Sequence, residues 1–368
     1  MMKGKKKKII FLVQCEQVNP SSHRRAIDYE PYLRAANLEP IWLNHSSPTF
    51  YYWYINDLVG NYNLITLLLN KFFHLFAGGL LLLSRWVSLV RLLFRARKAD
   101  GIFIQWITPP PWYTLLLKRI NPRIAFDFDD AVFLKRPAAT EALVRHSKVV
   151  SVGSHYNLDY ALKLNNNLVF LPTPVPIGRF EMKAYSPNGD RLVIGWLGSI
   201  STIKDLKIVV GELDRLAERH PEVVFRMGCG NRRDLIPQFK HLRCEIIPFF
   251  PYDKIPSVVT GFDIGIMPLH EEEFSKGKCA GKALEYMAAG IPAVLSRFGE
   301  NVYVITDGVD GFLASTEDEW VDKLSRLVED PELRQRIGSA GRQSIISKFS
   351  LEVCSLILIN EVLDKIAG

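Results

Sequence analysis

The sequence predicts an α/β protein of two domains, each built on a doubly wound, mostly parallel sheet with helices on both faces. Three observations carry this prediction. The length, 368 residues, exceeds what one hydrophobic core usually serves. Short β-branched or aromatic runs alternate with longer helical patterns, the mark of repeated βαβ units. The alternation stops once, at a stretch rich in proline and glycine, and then restarts.

Taken in order, the chain opens with a basic run, "MMKGKKKK", before "IIFLV". The apolar part is too short for a secretory signal, so the run reads as a solvated lead-in to a first buried strand. "DYEPYLRAANL" has helical spacing, and "GIFIQW", "RIAFDF", "KVVSVGS" and "LVFLP" read as strands. The linker is "LPTPVPIGRFEMKAYSPNGDR", residues 171 to 191. After it come strand "LVIGWLG", helix "LKIVVGELDRLAERH", strands "VVFRMGCG", "CEIIPFF" and "DIGIMPL", helix "GKALEYMAAG", and strands "PAVLS" and "GFLA". The expected division is residues 1–175, residues 176–350, and a final apolar helix over 351–368 that packs back on the first domain. Two such domains facing one another make a central cleft, with ligands at the carboxyl ends of the strands.

Composition narrows the function. Hydrophobic residues make up 48% and charged residues 23%, which places the chain among globular proteins rather than disordered ones. The net charge of +7 suits an anionic partner. No paired Cys/His finger or RNA-binding signature accompanies it, so no nucleic-acid partner is expected. Phosphate-bearing small molecules and an anionic membrane surface remain. The five cysteines are scattered without metal-ligand spacing, which fits a reducing cytoplasm.

One region departs from the alternation. Leu64 to Phe94 is almost wholly apolar, interrupted by Lys71, His74, Arg85 and Arg91. Lys71 and Arg85 bracket a run too short for the roughly 20 residues of a spanning helix. Arg85, Trp86 and Arg91 instead suit a basic amphipathic surface at an anionic membrane, the alternative being a core helix with snorkelling arginines. The expected location is cytoplasmic, peripherally on the inner face of a membrane.

The chemistry concentrates at "EEEFSKGKCAGKALEYMAAGIPAVLS", residues 271 to 296. It lies between a strand's carboxyl end and a helix's amino end, where backbone amides and the helix dipole favour an anion. Gly277 and Gly281 allow close backbone approach. Lys278 and Lys282, four apart, reach a diphosphate, and Glu285 shares a helix face with Lys282. "IGWLGSISTIKDL", 194 to 206, repeats the pattern, with Gly198 and Ser199 offering amides and Lys204 a cation. A lysine-rich solvent face is the competing reading for one such loop; two in one domain favour a nucleotide diphosphate.

These stretches, with "GFDIGIMPL" and "ITDGVDGFLA", resemble the nucleotide-binding half of glycosyltransferase family 4, enzymes of the GT-B fold that transfer sugars from nucleotide donors with retention. The resemblance covers the second domain and, more loosely, "SSHRRAIDYEPYLRAANLEP" and "FDFDDAVF" in the first. It implies that Glu285 is the second glutamate of a Glu-x7-Glu pattern and holds the donor ribose. The first would stand at Gly277, so one of Glu271, Glu272 and Glu273, with Glu273 as the candidate, contacts the donor sugar instead. Lys204 matches the lysine of the family's basic pair. Trp196 stands where the arginine would be, and Lys282 or Lys278 supplies that charge. No metal and no other cofactor are implied, and uridine donors are favoured over guanosine.

Asp129 and Asp130, in "FDFDDAVF", end a strand and are the candidate catalytic or sugar-binding carboxylates, with strand-end caps as the structural alternative. His23, Arg24 and Arg25, in the first strand-to-helix loop, are candidates for an acceptor phosphate, against a helix N-capped at Ser22. Ser154 and His155 follow a further strand. The expected enzyme is a retaining hexosyltransferase acting on a glycan or lipid-linked acceptor of the cell envelope, with a front-face mechanism. A sugar-nucleotide epimerase and a non-catalytic scaffold on the same fold are the alternatives.

Overall fold

The computed structural model describes residues 6–15, 19–47, 49, 64–185, 191–198, 202–228, 239–248 and 250–368. The chain divides into two compact units, one of residues 1–174, 277–279 and 351–368, the other of residues 175–276 and 280–350.

The first unit is built on a six-stranded sheet in the order β2-β1-β3-β4-β5-β6. These strands are Lys7–Val13, Leu38–Asn44, Gly101–Gln105, Ile124–Phe128, Val149–Val152 and Leu168–Phe170 for β1 to β6, and every pairing is parallel. Parallel sheets are covered on both faces, so their strands read as unbroken apolar runs; all of β3, β4 and β5 is buried. β2, "LEPIWLN", escapes a sequence reading because Pro40 interrupts it. Its place at the sheet edge explains the exception, since a proline's missing N–H costs nothing on the side where no strand pairs.

The apolar stretch forms one continuous helix, Leu64–Ala96. Among the side chains described there, Leu81, Ser88, Leu89, Leu92 and Ala96 are buried along one stripe, while Leu82, Leu83, Trp86, Val87, Val90 and Phe94 are exposed. Among the described residues, no helix is long and apolar enough to cross a membrane. Residues 351–367 are helical and belong to the first unit. There Cys354, Leu358, Val362 and Ile366 pack into one core with Ile9, Phe11, Tyr29 and Phe103.

The second unit carries a parallel sheet in the order β12-β11-β10-β7-β8-β9. β7 to β12 are Leu192–Leu197, Val223–Gly228, Arg243–Ile247, Ile264–Met267, Ala293–Ser296 and Phe312–Ala314. One core cluster holds Ile194, Trp196, Leu213, Phe225 and Leu324, and another holds Phe262, Met287, Leu295 and Ile345. Strand order reverses between β1 and β3 in the first unit and between β7 and β10 in the second. Those are the switch points at which open α/β sheets bind ligands.

Candidate functional site

In the second unit, the switch point sets the carboxyl ends of β7 and β10 side by side. The helix Gly281–Ala288 is fastened beneath them by Tyr286, whose hydroxyl accepts from the Leu197 amide (3.1 Å) and donates to the Ile266 carbonyl (3.4 Å). Gly265 makes this possible, because a β-carbon there would lie 2.3 Å from the Tyr286 ring. Ala280, the N-cap, is left-handed (φ 52°) and no side chain caps the helix. Its amino end therefore offers first-turn amides to an anion, and the strained alanine marks a place where geometry outweighs local preference.

This scaffold places Lys282 with its ammonium 5.4 Å from the Trp196 ring centroid, a cation–π contact. The tryptophan at the family's arginine position and the lysine expected to replace its charge thus meet. Glu285, one turn on, is 95% shielded from solvent. Lys204 is bound through its ammonium to both carboxylate oxygens of Glu272 (2.7 and 2.9 Å). That partner raises its pKa. The Lys204 carbonyl also lies 3.0 Å from the His270 Nε2. Of the three leading glutamates it is Glu272 that reaches a predicted diphosphate ligand, while Glu273 pairs locally with Lys276 (2.5 Å).

Two expectations in this unit need correction. The Gly198 amide donates to the Gly228 carbonyl (2.8 Å), so it is spent in the sheet rather than offered to a phosphate. Ser199 lies outside the described residues, as does Phe249 in the stretch expected to contact the base. Lys278, expected to reach a diphosphate together with Lys282, falls instead in the first unit, where its charge acts on Asp130.

Gly277 also belongs to the first unit. A β-carbon there would stand 2.7 Å from the Ala131 β-carbon and 2.8 Å from its amide nitrogen. The glycine is required by protein packing, not by approach of a ligand, and a glutamate does not fit where the family pattern would put one.

In the first unit, Asp127, Asp129 and Asp130 end β4 or follow it, and they do three different things. Asp127 is fully buried and takes two bonds from the Arg25 guanidinium (2.5 and 3.0 Å) and one from the Ser151 hydroxyl (2.7 Å). Burial works against the charge of Arg25, but Asp127 more than offsets it, leaving the Arg25 pKa above its ordinary value. Arg25 Nη1 also donates to the Leu171 carbonyl (2.6 Å). Arg25 therefore does not meet an acceptor phosphate, since a fully buried guanidinium is committed to Asp127.

Asp129 accepts from the Ser21 hydroxyl (2.6 Å), and its backbone carbonyl accepts from the Cys279 thiol (2.7 Å). The Asp130 pKa is pushed up to about 7, by burial first and by Asp129 second, against the pull of Lys278, Lys135 and a hydrogen bond from the Trp106 indole. Among the described residues no group of three or more His, Cys, Asp or Glu could hold a metal.

The first loop also differs from expectation. Its helix is Pro20–Arg25, N-capped by Asn19, whose side chain accepts from the Ser22 amide (3.2 Å). His23, Arg24 and Arg25 consequently occupy its last turn, at the dipole's negative end, rather than the strand-to-helix loop expected of them or a first turn opened by Ser22. His23 Nδ1 lies 3.8 Å from Asp28. Ser154 caps the helix His155–Leu162, accepting from the Asn157 amide (3.3 Å), and His155 packs on Phe170 (4.7 Å between centroids), so both serve structure. Arg85 Nε donates to Ser46 (3.2 Å), Trp86 is 40% exposed and stacks on Trp112 (6.2 Å), and Arg91 is exposed.

Sequence reasoning missed Ser21, Gln105 and Trp106. Gln105 ends β3, with Trp106 next to it, and Ser21 follows β1. A signal existed: Gln105 and Trp106 stand at the carboxyl end of a predicted strand, and Ser21 lies in the loop-to-helix segment that follows another.

Comparison with known proteins agrees with this architecture. Residues 191–330 match the family model described as Glycosyl transferases group 1. D-inositol 3-phosphate glycosyltransferase of Corynebacterium jeikeium is 29% identical over 173 residues, which is 43% of this chain and 40% of that protein. The chain spans less than half the length of the first curated relatives it matches. A glycosyltransferase from Rickettsia africae superposes with a TM-score of 0.70 at 16% identity, over 98% of each chain. HepE of Anabaena, solved with UDP and glucose, gives 0.64 at 15% identity, over 97% of this chain and 99% of that one. At such identities the likeness to solved structures carries the fold. Residues 191–330 thus resemble the domain described as Glycosyl transferases group 1, in a chain whose two parallel six-stranded sheets have the GT-B fold.

Proposed function

We propose that this protein is a retaining glycosyltransferase that moves a hexose-type sugar from a nucleoside diphosphate donor to a hydroxyl of a glycan or lipid-linked acceptor. The observation that carries the reading is the second unit's switch point, where the carboxyl ends of β7 and β10 lie side by side and are followed, within the matched domain, by Lys204, Lys282 and an uncapped helix amino end. Fixed positive charge there stabilises a leaving diphosphate as the sugar passes through an oxocarbenium-like state. Glu285 binds the ribose, and no metal or other cofactor is invoked. The complex of HepE with UDP supports a uridine donor.

In the first unit, Asp129 and Asp130 orient the acceptor hydroxyl. Asp130, with its pKa near neutrality, is suited to hold or release a proton there. No carboxylate pair suggests a covalent intermediate, so the donor phosphate assists deprotonation in a front-face transfer.

The acceptor is lipid-linked and the protein works in the cytoplasm, at the inner face of an anionic membrane. Between Leu58 and Phe126 nine lysines and arginines accompany a single acidic residue, Asp100. The exposed apolar side chains of the Leu64–Ala96 helix lie on the same stretch, joined through Trp86 to Trp112. Cell-envelope glycan or glycolipid synthesis fits that placement.

Calorimetry with UDP and GDP, followed by incubation of the protein with UDP-sugars and membrane lipid extract, tests the reading. Binding of UDP and acceptor-dependent sugar transfer are expected. Epimerisation without acceptor, or no binding of either nucleotide, would overturn it.

A further inference from the structure

His45 and Ser46 follow β2, on the carboxyl side of the first unit's sheet. The ladder with β1 continues past the strand end: the His45 amide donates to the Val13 carbonyl (2.7 Å) and the Ser46 amide to the Gln14 carbonyl (3.0 Å). The Ser46 hydroxyl, fully buried, accepts from Gln14 Nε2 (3.3 Å) and from Arg85 Nε (3.2 Å). The Ser47 amide donates to the Ser84 hydroxyl (3.2 Å), so two successive residues of the Leu64–Ala96 helix are pinned to the end of β2. Arg85 is thereby fixed on the side of the sheet where ligands bind.

A second guanidinium acts at the same place. Arg136 stands at the N-cap of the helix Pro137–His146, is exposed, and makes no side-chain hydrogen bond or ion pair among the described residues. His45 records what the two arginines do together. Burial first, then the charges of Arg85 and Arg136, push its pKa down to about 3, and no carboxylate acts on it in the opposite sense. The imidazole stays neutral at physiological pH, the form that tolerates two neighbouring cations. Its Nδ1 is sealed from solvent and meets no ligand. The exposed Arg136 and the half-buried Arg85 are the groups a ligand reaches.

Two guanidiniums acting on one neutral imidazole repel each other, and an oxyanion that accepts from both relieves the repulsion. Arginine suits the task because its planar fork matches phosphate oxygens two at a time. We propose that Arg136 and Arg85, at the end of β2, bind a phosphoryl group, that of a phosphate ester or free phosphate. The site supplies the anion contact that Arg25, committed to Asp127, does not. It rests on the transferase reading only for which molecule brings the group, in that case a phosphorylated acceptor.

NMR of the full chain carrying ring-labelled histidine tests it, with hexyl phosphate and inorganic phosphate as probes and calorimetry with UDP on the same samples. The His45 signals are identified by their loss in His45→Gln. Both probes should shift them. Arg136→Gln, at an exposed side chain, and Arg85→Gln should each weaken hexyl phosphate about tenfold or more, the scale of hydrogen bonds to a charged group, while UDP affinity stays unchanged. Tighter binding of hexyl phosphate than of inorganic phosphate upholds the site for an ester, and equal affinity upholds it for free phosphate. His45 signals that neither probe moves, or a response that survives both substitutions, overturn the site. If UDP still binds and sugar transfer proceeds, the site alone falls. A phosphate response that the substitutions abolish, in a protein that ignores UDP, upholds the site and sinks the transferase reading.

Discussion

The ammonium of Lys204 is held by both carboxylate oxygens of Glu272, at 2.7 and 2.9 Å, so a diphosphate arriving at this lysine displaces a carboxylate. Lys204→Ala should weaken UDP binding roughly ten- to hundredfold, the worth of hydrogen bonds to a charged group. Glu272→Gln should tighten it, because the competing charge is gone. Calorimetry on the two variants decides the point: equal affinity in both would remove Lys204 from the donor site.

Placing a glutamate at Gly277 should harm this protein. Gly277→Glu puts a side chain where Ala131 and Asn157 already stand within 3 Å of the new β-carbon. Overpacking of this kind costs about 1–3 kcal/mol. A lowered melting temperature with no gain in turnover is expected.

Asp130 predicts a pH dependence of both rate and stability. With its pKa raised to about 7 in the folded chain, by burial and by Asp129, against Lys278, Lys135 and Trp106, transfer should titrate near neutrality. Between the ordinary carboxyl range and pH 7 the folded state holds a proton that the unfolded state has lost. The group's stabilising contribution is therefore complete below about pH 4 and disappears as pH rises through 7. Asp130→Asn should abolish that decline and raise the melting temperature at pH 8 by at least roughly 2–4 °C, the shift that about 1 kcal/mol produces in a domain of this size. Melting curves from pH 4 to 8 that superimpose for both proteins would refute it.

Breaking the Arg25–Asp127 pair from one side leaves a buried charge without its partner. Asp127→Asn should cost about 3–5 kcal/mol in urea unfolding, and the double replacement Arg25→Met with Asp127→Leu should recover much of it. A single variant as stable as the double would show that the charges are not desolvated.

Flotation on vesicles containing phosphatidylserine tests the membrane surface. Each basic residue near an anionic bilayer contributes about 1 kcal/mol, so Arg91→Ala should lower partitioning roughly fivefold and Arg91→Glu further. Phe94→Ser, at a side chain 77% exposed, should also release the protein without unfolding it. Partitioning that none of the three changes would place the membrane contact elsewhere.

The strands of the second unit were legible because a buried parallel strand is an unbroken apolar run and its helices are strongly periodic. β2 was not, since Pro40 breaks the run and only its edge position makes that tolerable. That Lys204 and Lys282 stand on strand-to-helix turns could be read from the sequence, whereas their partners Glu272 and Trp196 could not. The partnership of Arg25 with Asp127, or of Ser21 with Asp129, joins residues more than a hundred apart, 102 and 108 positions respectively. Such pairs become visible only once parallel strands bring their carboxyl ends together. The same holds for Gly277, whose sequence neighbours suggest a ligand loop while its actual constraint is the backbone of Ala131.

The residues that complete the first unit's core come after the whole of the second. Until Leu358, Val362 and Ile366 have been made, Ile9, Phe11 and Phe103 lack part of their cover. On the ribosome the first unit would therefore wait, partly open, through the synthesis of its successor. Its apolar sheet is exposed to misassembly for that interval. The protein should depend on holding factors during translation more than its finished core would suggest.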